Sequence, residues 1–579
     1  MNISRHVWQT KYRAEGETDI RASWQRVARA IAAAESREQA RWAESFYALL
    51  DHFRFLPGGR ILAGAGTGHR VTLFNCFVMG EIADDLEHIF EALKEGALTM
   101  QQGGGVGYDF STLRPAGMVA LATGSIASGP VSFMHIWDAM CATMLSTGAR
   151  RGAMMATLRC DHPDIEAFVD AKRDPAMLRH FNLSVQVSDA FMAAVENDRD
   201  WQLVFPARTS EPAGESGVGR TLKARDLWQR ILRAAYDTAE PGVLFVDTIN
   251  RENNLHDREK LSATNPCGEI PLPPYGACDL GSLNLTAFVD SPFAAGARLD
   301  LDALAAAAAL AVRFLDDVVD VSRYPLPAQA EQARHTRRIG LGITGLADAL
   351  VMLGLDYASE AARALAAQAM RTMRDAAYRT SVGLAQEKGA FPGFAREAFL
   401  ASGFTARLPA DIRDAIATHG IRNSHLLAIA PAGTISLLAN NCSSGIEPIF
   451  AAEAERRVLG TDGSYRTHRV VDHALQRWQE QGRPGKPPSL VEARQVDPLA
   501  HLYMQAALQP FVDNAISKTI NVAADYPFDR FADLYQKAHG LGLKGCTVFR
   551  PNPVTGAILT SQPPASERVQ CCSIEREGD

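Results

Sequence analysis

The residues whose types and spacing can do chemistry stand closest together in one pentapeptide, Asn265-Pro266-Cys267-Gly268-Glu269. Proline and glycine on either side of Cys267 favour a tight loop over a regular element. In an extended finger, residues two apart project to the same side, so Asn265, Cys267 and Glu269 can meet one ligand. A thiol, an amide and a carboxylate would then converge. Taken alone, the pentapeptide also fits a simple turn around a buried cysteine.

Cysteine is the other informative residue type, and the sequence holds nine: Cys76, Cys141, Cys160, Cys267, Cys278, Cys442, Cys546, Cys571 and Cys572. An odd number without an export signal argues against a structural disulfide framework. No C-x-x-C pair occurs, which disfavours a zinc ribbon or a thioredoxin-type redox pair. We expect Cys141, Cys160 and Cys442 to be small buried hydrophobic residues. Cys546 is expected to be buried too, with a redox role as its alternative.

Several common ligand-binding motifs are missing from the sequence. There is no G-x-x-x-x-G-K-[ST], which argues against a P-loop. The glycine run 103–107 lacks the third glycine of a dinucleotide fingerprint. Neither H-E-x-x-H nor the D-x-H-x-x-G signature of base-off cobalamin modules is present. The chemistry must therefore come from the cysteine-bearing segments.

The composition is typical of a globular protein with a slightly acidic balance. The 579 residues include 59 Lys and Arg against 66 Asp and Glu, a formal net charge of −7. Binding to nucleic acid backbones needs a positive face, so we predict no nucleic-acid partner. The most apolar helical stretch, Leu304 to Leu310, is too short to cross a bilayer. The N-terminal residues lack the apolar region of a signal peptide, so we expect a cytoplasmic protein with no membrane partner.

Sequence patterns divide the chain into three parts. Residues 1–52 are typical of amphipathic helices and form an N-terminal helical lead-in. In residues 53–550, short apolar runs alternate with Gly-rich turns and helices, which predicts one large α/β domain. Residues 551–579 have the composition of a flexible tail and carry the last two cysteines.

Motifs in the order of a known family extend from about Phe55 to Arg550. They are FNCF around Cys76, GGGVGYDFSTLRPAG at 103–117, GPVSFMHIWDAM at 129–140, RRGAMMATLRCDHPDIEAFV at 150–169, NPCGE at 265–269, CDLGSLNL at 278–285, PAGTIS at 431–436, SSGIEP at 443–448 and GLKGCTVFR ending at Arg550. Together they resemble the large or catalytic subunit of ribonucleotide reductase. The resemblance implies a ten-stranded α/β barrel with peripheral helices, in which a finger loop carries the catalytic cysteine.

The resemblance gives the pentapeptide and two further cysteines a chemical role. Loss of a ribose 2′-hydroxyl is hard because hydroxide is a poor leaving group, and a radical at C3′ makes it feasible. By carry-over, Cys267 acts as a thiyl radical that removes the 3′ hydrogen. Glu269 accepts the 3′-OH proton as general base, and Asn265 orients the ribose hydroxyls. Cys76 and Cys278 supply two electrons by forming a disulfide, although only the fold can bring them together.

The resemblance also implies a set of substrate-binding residues. PAGTIS resembles the family's phosphate loop, where backbone N–H groups and a threonine hydroxyl ahead of a helix suit a phosphate. Glycines at 104 and 105 let the backbone approach the substrate closely. The implied set is Asn75, Gly104, Gly105, Pro431, Ala432, Gly433, Thr434 and Ile435. We predict a ribonucleoside diphosphate as substrate, with a triphosphate left open.

The radical source separates the classes of this family. The oxygen-dependent class uses two adjacent tyrosines, whose matching positions here are Thr547 and Val548. The tail CCSIEREGD does not resemble the motif of the glycyl-radical class. The remaining class uses adenosylcobalamin, whose Co–C bond homolysis makes the thiyl radical directly. We therefore predict adenosylcobalamin as cofactor, with cobalt carried by the cobalamin and no metal held by the protein alone.

Regulatory and reducing partners follow from the same resemblance. A specificity effector, a deoxynucleoside triphosphate or ATP, is expected at Asp84 and Arg114, with Arg150 and Arg151 on a neighbouring loop. This effector site lies at the subunit interface of dimeric members, which predicts a homodimer. The tail pair at 571 and 572 is implied to re-reduce the active-site disulfide and to be reduced by a thioredoxin-like partner. These two cysteines are adjacent, whereas family tails space them, and a vicinal disulfide is strained and readily reduced.

Two alternatives remain at this point. The chain can be a large subunit that needs a separate radical-generating subunit, or a catalytically dead regulator that only binds nucleotides. The five intact catalytic positions argue against the second alternative.

Overall fold

The core of the fold is one ten-stranded mixed sheet, seen in a computed structural model that describes residues 3–120, 124–146, 150–205, 219–459 and 465–551. We number its strands in chain order: β1 Phe55–Pro57, β2 Cys76–Val78, β3 Gly105–Asp109, β4 Met154–Arg159, β5 Phe181–Val187, β6 Gly242–Phe245, β7 Ala277–Asn284, β8 Ile339–Thr344, β9 Thr519–Asn521 and β10 Gly545–Phe549.

The sheet consists of two parallel halves that run antiparallel to each other. Strands β2 to β6 pair in chain order, each parallel to the next. In the other half, β7 is parallel to β8 and β9 is parallel to β10. The halves meet at two antiparallel seams, β7 with β2 and β6 with β10. The amino ends of one half therefore lie at the same end of the sheet as the carboxyl ends of the other.

A short segment at 427–429 closes the sheet into a barrel. Leu427 forms a parallel bridge with Leu341 of β8, and Ile429 forms one with Ile516, just ahead of β9. With this segment included, and with β1 set aside as an added pair on β7, ten strands surround the interior. The predicted ten-stranded α/β barrel is confirmed.

Alternation along the strands separates a polar interior from an apolar exterior. In β5, the polar residues Asn182, Ser184 and Gln186 alternate with apolar residues, and the whole strand is buried. Successive side chains of a strand point to opposite faces. The polar residues therefore face the interior of the barrel, where Asn182 and Ser184 line a cavity. The apolar residues face the surrounding helices.

Helices cover the outside of the barrel. In the described residues the α-helices are Ile3–Val7, Ile20–Ala32, Gln39–Leu50, Gly59–Gly64, Leu86–Gln101, Pro130–Thr143, Ile165–Asp170, Asp189–Glu196, Ala224–Thr238, Val246–Arg251, Leu301–Val321, Pro327–Thr336, Leu346–Met352, Glu360–Lys388, Arg396–Ala401, Ala410–His419, Gly433–Leu438, His473–Glu480, Pro498–Leu508 and Phe528–Gly540. Shorter helical turns are Trp8–Tyr12, Asp51–Phe53, Leu285–Phe288, Thr405–Arg407, Ala493–Gln495 and Gln509–Phe511. No helix among the described residues has the length and apolar character needed to cross a membrane.

Two-stranded hairpins make up the remaining strands. They pair Val119–Ala120 with Ser125–Ile126, Leu145–Ser146 with Arg150–Arg151, Asp200–Val204 with Gly219–Lys223, Ala263–Thr264 with Pro271–Leu272, Val289–Asp290 with Arg298–Leu299, and Glu453–Leu459 with Tyr465–Val471. The hairpin at 263–272 carries the pentapeptide.

Aromatic and charged contacts fix the N-terminal helices to the barrel. The ring of Phe314, on the helix Leu301–Val321, lies 5.2 Å from the ring of Phe46 and 5.4 Å from that of Phe55. Beside it, Arg313 Nε donates to Glu35 Oε1 at 2.5 Å, and both side chains are largely buried. The division of the chain at residues 52 and 551 stays a prediction.

Candidate active site

The hairpin at 263–272 projects into the barrel and is held by both of its halves. Thr157 Oγ1 of β4 donates to Ser262 O at 2.9 Å. From the opposite half, Ala515 N donates to Glu269 O at 2.9 Å. These bonds fix the base of the finger, so its tip has a defined position in the interior.

The tip of the finger is a tight turn. Gly268 N donates to Asn265 O at 3.1 Å, which closes a four-residue turn. Pro266 occupies the second position, where its fixed φ is favourable, and Gly268 has φ +83°, which glycine adopts without strain. The expectation of an extended backbone at Cys267 is therefore wrong, because proline and glycine bend the chain there. Asn265 and Glu269 come together as the two sides of a hairpin.

Asn265 and Glu269 both lie against the thiol of Cys76. Asn265 Nδ2 is 3.2 Å from Cys76 Sγ, and Glu269 Oε1 is 3.8 Å from the same sulfur. The amide is held by two donors to Asn265 Oδ1, Thr264 Oγ1 at 3.1 Å and Ile270 N at 3.0 Å. Those bonds orient the N–H₂ group towards Cys76. The structure thus brings three residues predicted for catalysis into contact.

Cys76 and Cys278 face each other across the seam between β2 and β7. They are direct partners in the antiparallel register, and both are buried as thiols and not joined in a disulfide. Opposed residues in such a pair have Cα atoms about 4.5–5.5 Å apart, and a disulfide spans about 4.4–6.8 Å between Cα atoms. The two cysteines are therefore placed where a disulfide can form. Burial, with the neighbouring Asp279 carboxyl, raises the pKa of Cys278 well above its usual value.

Cys267 differs from the other described cysteines in its exposure. It is partly exposed at the tip of the finger, whereas the rest of the described cysteines are buried. Cys267 lines the same cavity as Cys76 and Glu269. Its thiol is therefore the one that a molecule in the cavity can approach directly.

Glu269 is a buried carboxyl whose pKa lies near neutral pH. It is 1% exposed, and burial raises its pKa to about 7, against hydrogen bonds from Asn265 and Cys76 that lower it. The second oxygen, Oε2, has no hydrogen-bond partner among the described residues. A carboxylate in this position can accept a proton from a ligand near pH 7.

The cavity beside the finger has a volume of about 180 Å³. It lies at the end of the barrel where β2 to β6 begin. Of the predicted substrate-binding residues, five line it: Asn75, Gly104, Gly105, Pro431 and Ile435. Ala432 and Gly433 are buried next to this wall and Thr434 is partly buried, but the three do not line the cavity.

Buried acceptor atoms without partners mark the cavity as a site for a hydroxyl-rich ligand. Asn75 Oδ1, Asn182 Oδ1 and Glu269 Oε2 are buried, lack hydrogen-bond partners among the described residues and belong to lining residues. Leaving a buried acceptor unsatisfied costs about 1–3 kcal/mol. A ligand that donates hydroxyl hydrogens here would recover that cost.

Sequence reasoning missed three lining residues. Asn182 Nδ2 donates to Pro266 O at 2.7 Å and so holds the tip of the finger. Arg60 is 8% exposed and brings its guanidinium beside the backbone of Gly103. Lys518 is buried next to β9. The alternation of polar residues in β5 was a usable signal for Asn182, whereas nothing in the local sequence marks the other two.

The predicted effector residues contact each other. Arg114 Nε donates to Asp84 Oδ2 at 2.7 Å, and Arg114 N donates to Asp84 Oδ1 at 3.1 Å. Arg150 and Arg151 form one strand of a short hairpin, and their side chains lie outside the described part. An effector role for these four residues stays a prediction.

The strand β10 contributes four residues to the cavity wall: Gly545, Cys546, Thr547 and Phe549. Val548 is fully buried. No tyrosine is among the described residues that line the cavity. Cys546 belongs to the apolar core, as predicted.

The remaining cysteines fall into two groups, those expected to be buried and those expected to form the redox tail. Cys141, Cys160 and Cys442 are buried, which confirms the expectation for them. Cys571 and Cys572 lie outside the described residues, so the redox tail stays a prediction.

Comparisons with known proteins agree with this geometry. The family described as "Ribonucleotide reductase, barrel domain" matches residues 74–549, and "Ribonucleotide reductase, all-alpha domain" matches residues 2–70. A Mycobacterium tuberculosis protein named vitamin B12-dependent ribonucleoside-diphosphate reductase is 42% identical over 93% of this chain and 77% of its own length. A Thermoplasma acidophilum protein of the same name is 36% identical over 89% of this chain and 66% of its own length. A vitamin B12-dependent ribonucleotide reductase of Streptomyces clavuligerus is 28% identical over 91% of this chain and 61% of its own length.

Proposed function

The chain belongs to the ribonucleotide reductase family, and we propose that it reduces ribonucleoside diphosphates to 2′-deoxyribonucleotides with adenosylcobalamin as its radical source. The observation that carries the proposal is that Cys267, Glu269 and Cys76 share one cavity, with Cys278 directly opposite Cys76 in the wall. Such a site combines a hydrogen-abstracting thiol, a base and a two-electron reductant.

The first chemical step falls to Cys267. Adenosylcobalamin, when bound, supplies an unpaired electron through homolysis of its cobalt–carbon bond. Cys267, as a thiyl radical, takes the 3′ hydrogen of the ribose and leaves a carbon radical at C3′. The finger turn holds this sulfur at the cavity, where Asn182 fixes the backbone of Pro266.

Loss of the 2′-hydroxyl is assigned to the residues around Cys76. Glu269 takes the 3′-OH proton, and its pKa of about 7 suits that task at neutral pH. The thiols of Cys76 and Cys278 supply two electrons and two protons. The 2′-hydroxyl leaves as water, the C2′ carbon gains a hydrogen, and a Cys76–Cys278 disulfide forms. Glu269 returns the proton to the 3′ oxygen and Cys267 returns its hydrogen to C3′, so the 3′-hydroxyl is restored and the thiyl radical is regenerated.

The cavity wall fits a radical source that enters from outside the chain. A tyrosine relay would need a tyrosine near Cys267, and none is among the described lining residues. At the seam of β6 and β10 the wall includes Gly242, Gly545 and Thr547, beside Cys546 and Phe549. A Cβ on Gly242 would lie only 3.1 Å from Thr547 Oγ1, so the glycine keeps this wall open. The names of the relatives support cobalamin as the cofactor.

Phosphate binding is assigned to the wall at Pro431, where the helix Gly433–Leu438 begins. The backbone N–H groups of the first turn of this helix would reach the phosphate oxygens, while Ala432 N is already bonded to Ser444 Oγ. Arg60 contributes a positive charge on the side of Gly103. The substrate would then lie with its ribose at the finger and its phosphates towards Pro431.

A homodimer with an effector at its interface is the proposed assembly. The helix Leu86–Gln101 exposes Leu86 at 63% and Phe90 at 50%, and the hairpin at 119–126, which follows Arg114, exposes Val119 at 51% and Ile126 at 73%. Exposed large apolar side chains favour a protein partner. Leu86 and Phe90 follow Asp84 in the sequence, and Val119 and Ile126 follow Arg114. A second copy of the chain that covers these apolar side chains would therefore also form part of the effector site. A thioredoxin-like reductant acting on the tail cysteines completes the proposed cycle.

The experiment that tests the function is an anaerobic assay of the purified chain. CDP and dithiothreitol are supplied with and without adenosylcobalamin, and dCDP is measured. Formation of dCDP only with the cofactor would support the proposal. Formation without the cofactor, or only after adding a separate radical-generating subunit, would contradict it. CTP in place of CDP tests the choice of phosphate chain.

A further inference from the structure

Lys518 is a buried lysine next to β9. It holds the SSGIEP segment, residues 443–448, to which the proposed function assigns no role. Lys518 is 6% exposed, and its side chain is fully buried. Its ammonium donates to the carboxylate of Glu447, to His501 Nδ1 at 2.7 Å and to Thr519 O at 3.0 Å. Three N–H donors therefore meet three acceptors. Because its donors are all used within the protein, Lys518 is suited to positioning other residues.

Glu447 belongs to the SSGIEP segment and ties it to β9. One carboxylate oxygen accepts from Lys518, and Oε1 accepts from Thr519 N at 3.0 Å. Within the segment, Glu447 N donates to Ser444 O at 2.8 Å. Ser444 Oγ in turn accepts from Ala432 N at 2.7 Å. A continuous hydrogen-bonded path thus runs from Lys518 to the loop at 431–436.

The other end of the SSGIEP segment is anchored to the barrel independently. Ser443 N donates to Asp348 Oδ2 at 2.6 Å, and Gly445 N donates to Thr344 Oγ1 at 3.2 Å. The segment therefore forms a bracket between β8 and β9. Pro431 and Lys518 both line the cavity, on neighbouring elements joined by the Ile429–Ile516 bridge. Releasing the β9 end of the bracket would leave Ser444, and with it Ala432, supported from the β8 end alone.

We propose that Lys518 and Glu447 are positioning residues for the phosphates of the nucleotide: they hold the bracket 443–447 against β9 and thereby fix the backbone at Ala432. This inference rests on the proposed function. It predicts that loosening the bracket weakens binding of the phosphates and leaves recognition of the nucleoside unchanged. A merely structural role would weaken both.

The experiment compares phosphorylated and unphosphorylated ligands on the full chain. The variants are Lys518→Met and Ser444→Ala, and the control is Lys486→Met, which removes a half-exposed lysine paired with Glu492 at 3.2 Å. The dissociation constant of CDP is measured by equilibrium dialysis, and cytidine is measured as its competitor. We expect both bracket variants to weaken CDP binding about tenfold, as for a lost charged or buried hydrogen bond. Cytidine binding and the control should stay within about twofold, and in turnover the loss should appear in KM and not in kcat.

The outcomes separate the inference from the function on which it rests. Unchanged CDP affinity in both bracket variants, or an equal loss for CDP and cytidine, would overturn the inference alone. Failure of the wild-type chain to bind CDP would contradict the proposed function and the inference with it. Ser444→Ala removes only a hydroxyl, so it carries the test if Lys518→Met, which leaves the partly buried carboxylate of Glu447 without its lysine, does not fold.

Discussion

At the scale of single residues, the environment of each side chain decides its chemical task. Glu269 and Cys278 are both fully buried, and burial raises the pKa of each. The carboxyl thereby becomes a base matched to neutral pH, whereas the thiol stays protonated and keeps the hydrogen that reduction consumes. Cys267 is partly exposed at the cavity. The radical cysteine must be accessible to the substrate, whereas the cysteine that supplies electrons must be shielded from other molecules.

Replacing the cavity thiol tests the assignment of Cys267. We expect Cys267→Ser to form no dCDP, because a serine O–H bond is too strong for its oxygen to serve as the radical in the same way. CDP binding should stay within about twofold, since serine is close to cysteine in size and keeps a polar hydrogen at the tip of the turn. Product is measured by chromatography and binding by equilibrium dialysis. Cys160→Ala, a buried core cysteine, is the control, and reduction by Cys267→Ser would remove that residue from the radical site.

The pKa of Glu269 predicts the acidic limb of the pH profile. A general base works as its carboxylate, and the raised pKa means that the protonated form dominates below about pH 7. We therefore expect kcat/KM for CDP to fall about tenfold per pH unit below that point. Glu269→Gln should remove this limb and lower kcat by about 10²–10⁴-fold. A limb centred near the ordinary carboxyl value of 4.5 would show that Glu269 is not the base.

At the scale of elements, close backbone contacts set the position of the finger. Gly107 of β3 lies against the finger strand so closely that a Cβ there would be 1.9 Å from Thr264 O. Gly105 has a looser contact, 3.2 Å from Pro266 Cγ. The first glycine is therefore required by the approach of two backbones. The finger and the barrel wall act as one unit.

Adding a single methyl group at this contact should displace the catalytic turn. We expect Gly107→Ala to lower kcat by at least about 10²-fold, because a shift of 1 Å in a catalytic group costs about that much. The same substitution at Gly383, in the helix Glu360–Lys388 and with nothing within 4 Å of its Cβ, is the matched control. It should keep full activity and raise stability by about 1 kcal/mol. Normal turnover by Gly107→Ala would show that the finger tolerates displacement.

Because Cys76 and Cys278 face each other across the seam of β2 and β7, replacing one of them should stop repeated turnover without preventing substrate binding. We expect Cys76→Ser to bind CDP but to show no multiple turnover, because Cys278 has lost the partner that faces it. Dithiothreitol in excess should not restore turnover. The rate of dCDP formation over many cycles is the measurement. Normal multiple turnover would remove Cys76 from the redox pair.

The local sequence predicted the secondary-structure elements better than the contacts between residues that are distant in the sequence. Proline and glycine around Cys267 predicted a turn, and the motif order predicted the barrel. The opposition of Cys76 and Cys278 depends on the register of two strands that are distant in sequence, which no local pattern encodes. Lys518 was missed for the same reason, since its partners Glu447 and His501 come from other elements. The extended finger was wrong because the side-chain alternation of a strand does not hold within a turn.

At the scale of the whole molecule, barrel closure explains how such distant residues share one cavity. Two antiparallel seams and two bridges complete the ring of strands. The amino ends of one half and the carboxyl ends of the other then face the same space. Asn75 and Gly104 directly precede strands of one half, and Ser282 and Phe549 lie towards the carboxyl ends of β7 and β10 of the other. The finger supplies the chemistry, and the two halves supply the binding walls.

A single-turnover measurement without external reductant tests the central claim most directly. The double variant Cys571→Ser/Cys572→Ser, which cannot use its tail, is mixed anaerobically with CDP and adenosylcobalamin. We expect one dCDP per chain and one new disulfide, located by peptide mapping between Cys76 and Cys278. The wild-type chain should form up to two dCDP per chain, since its tail holds a second thiol pair. Product formation with Cys76 and Cys278 still reduced, or a disulfide elsewhere, would contradict the claim that one cavity holds both the radical cysteine and its reductant.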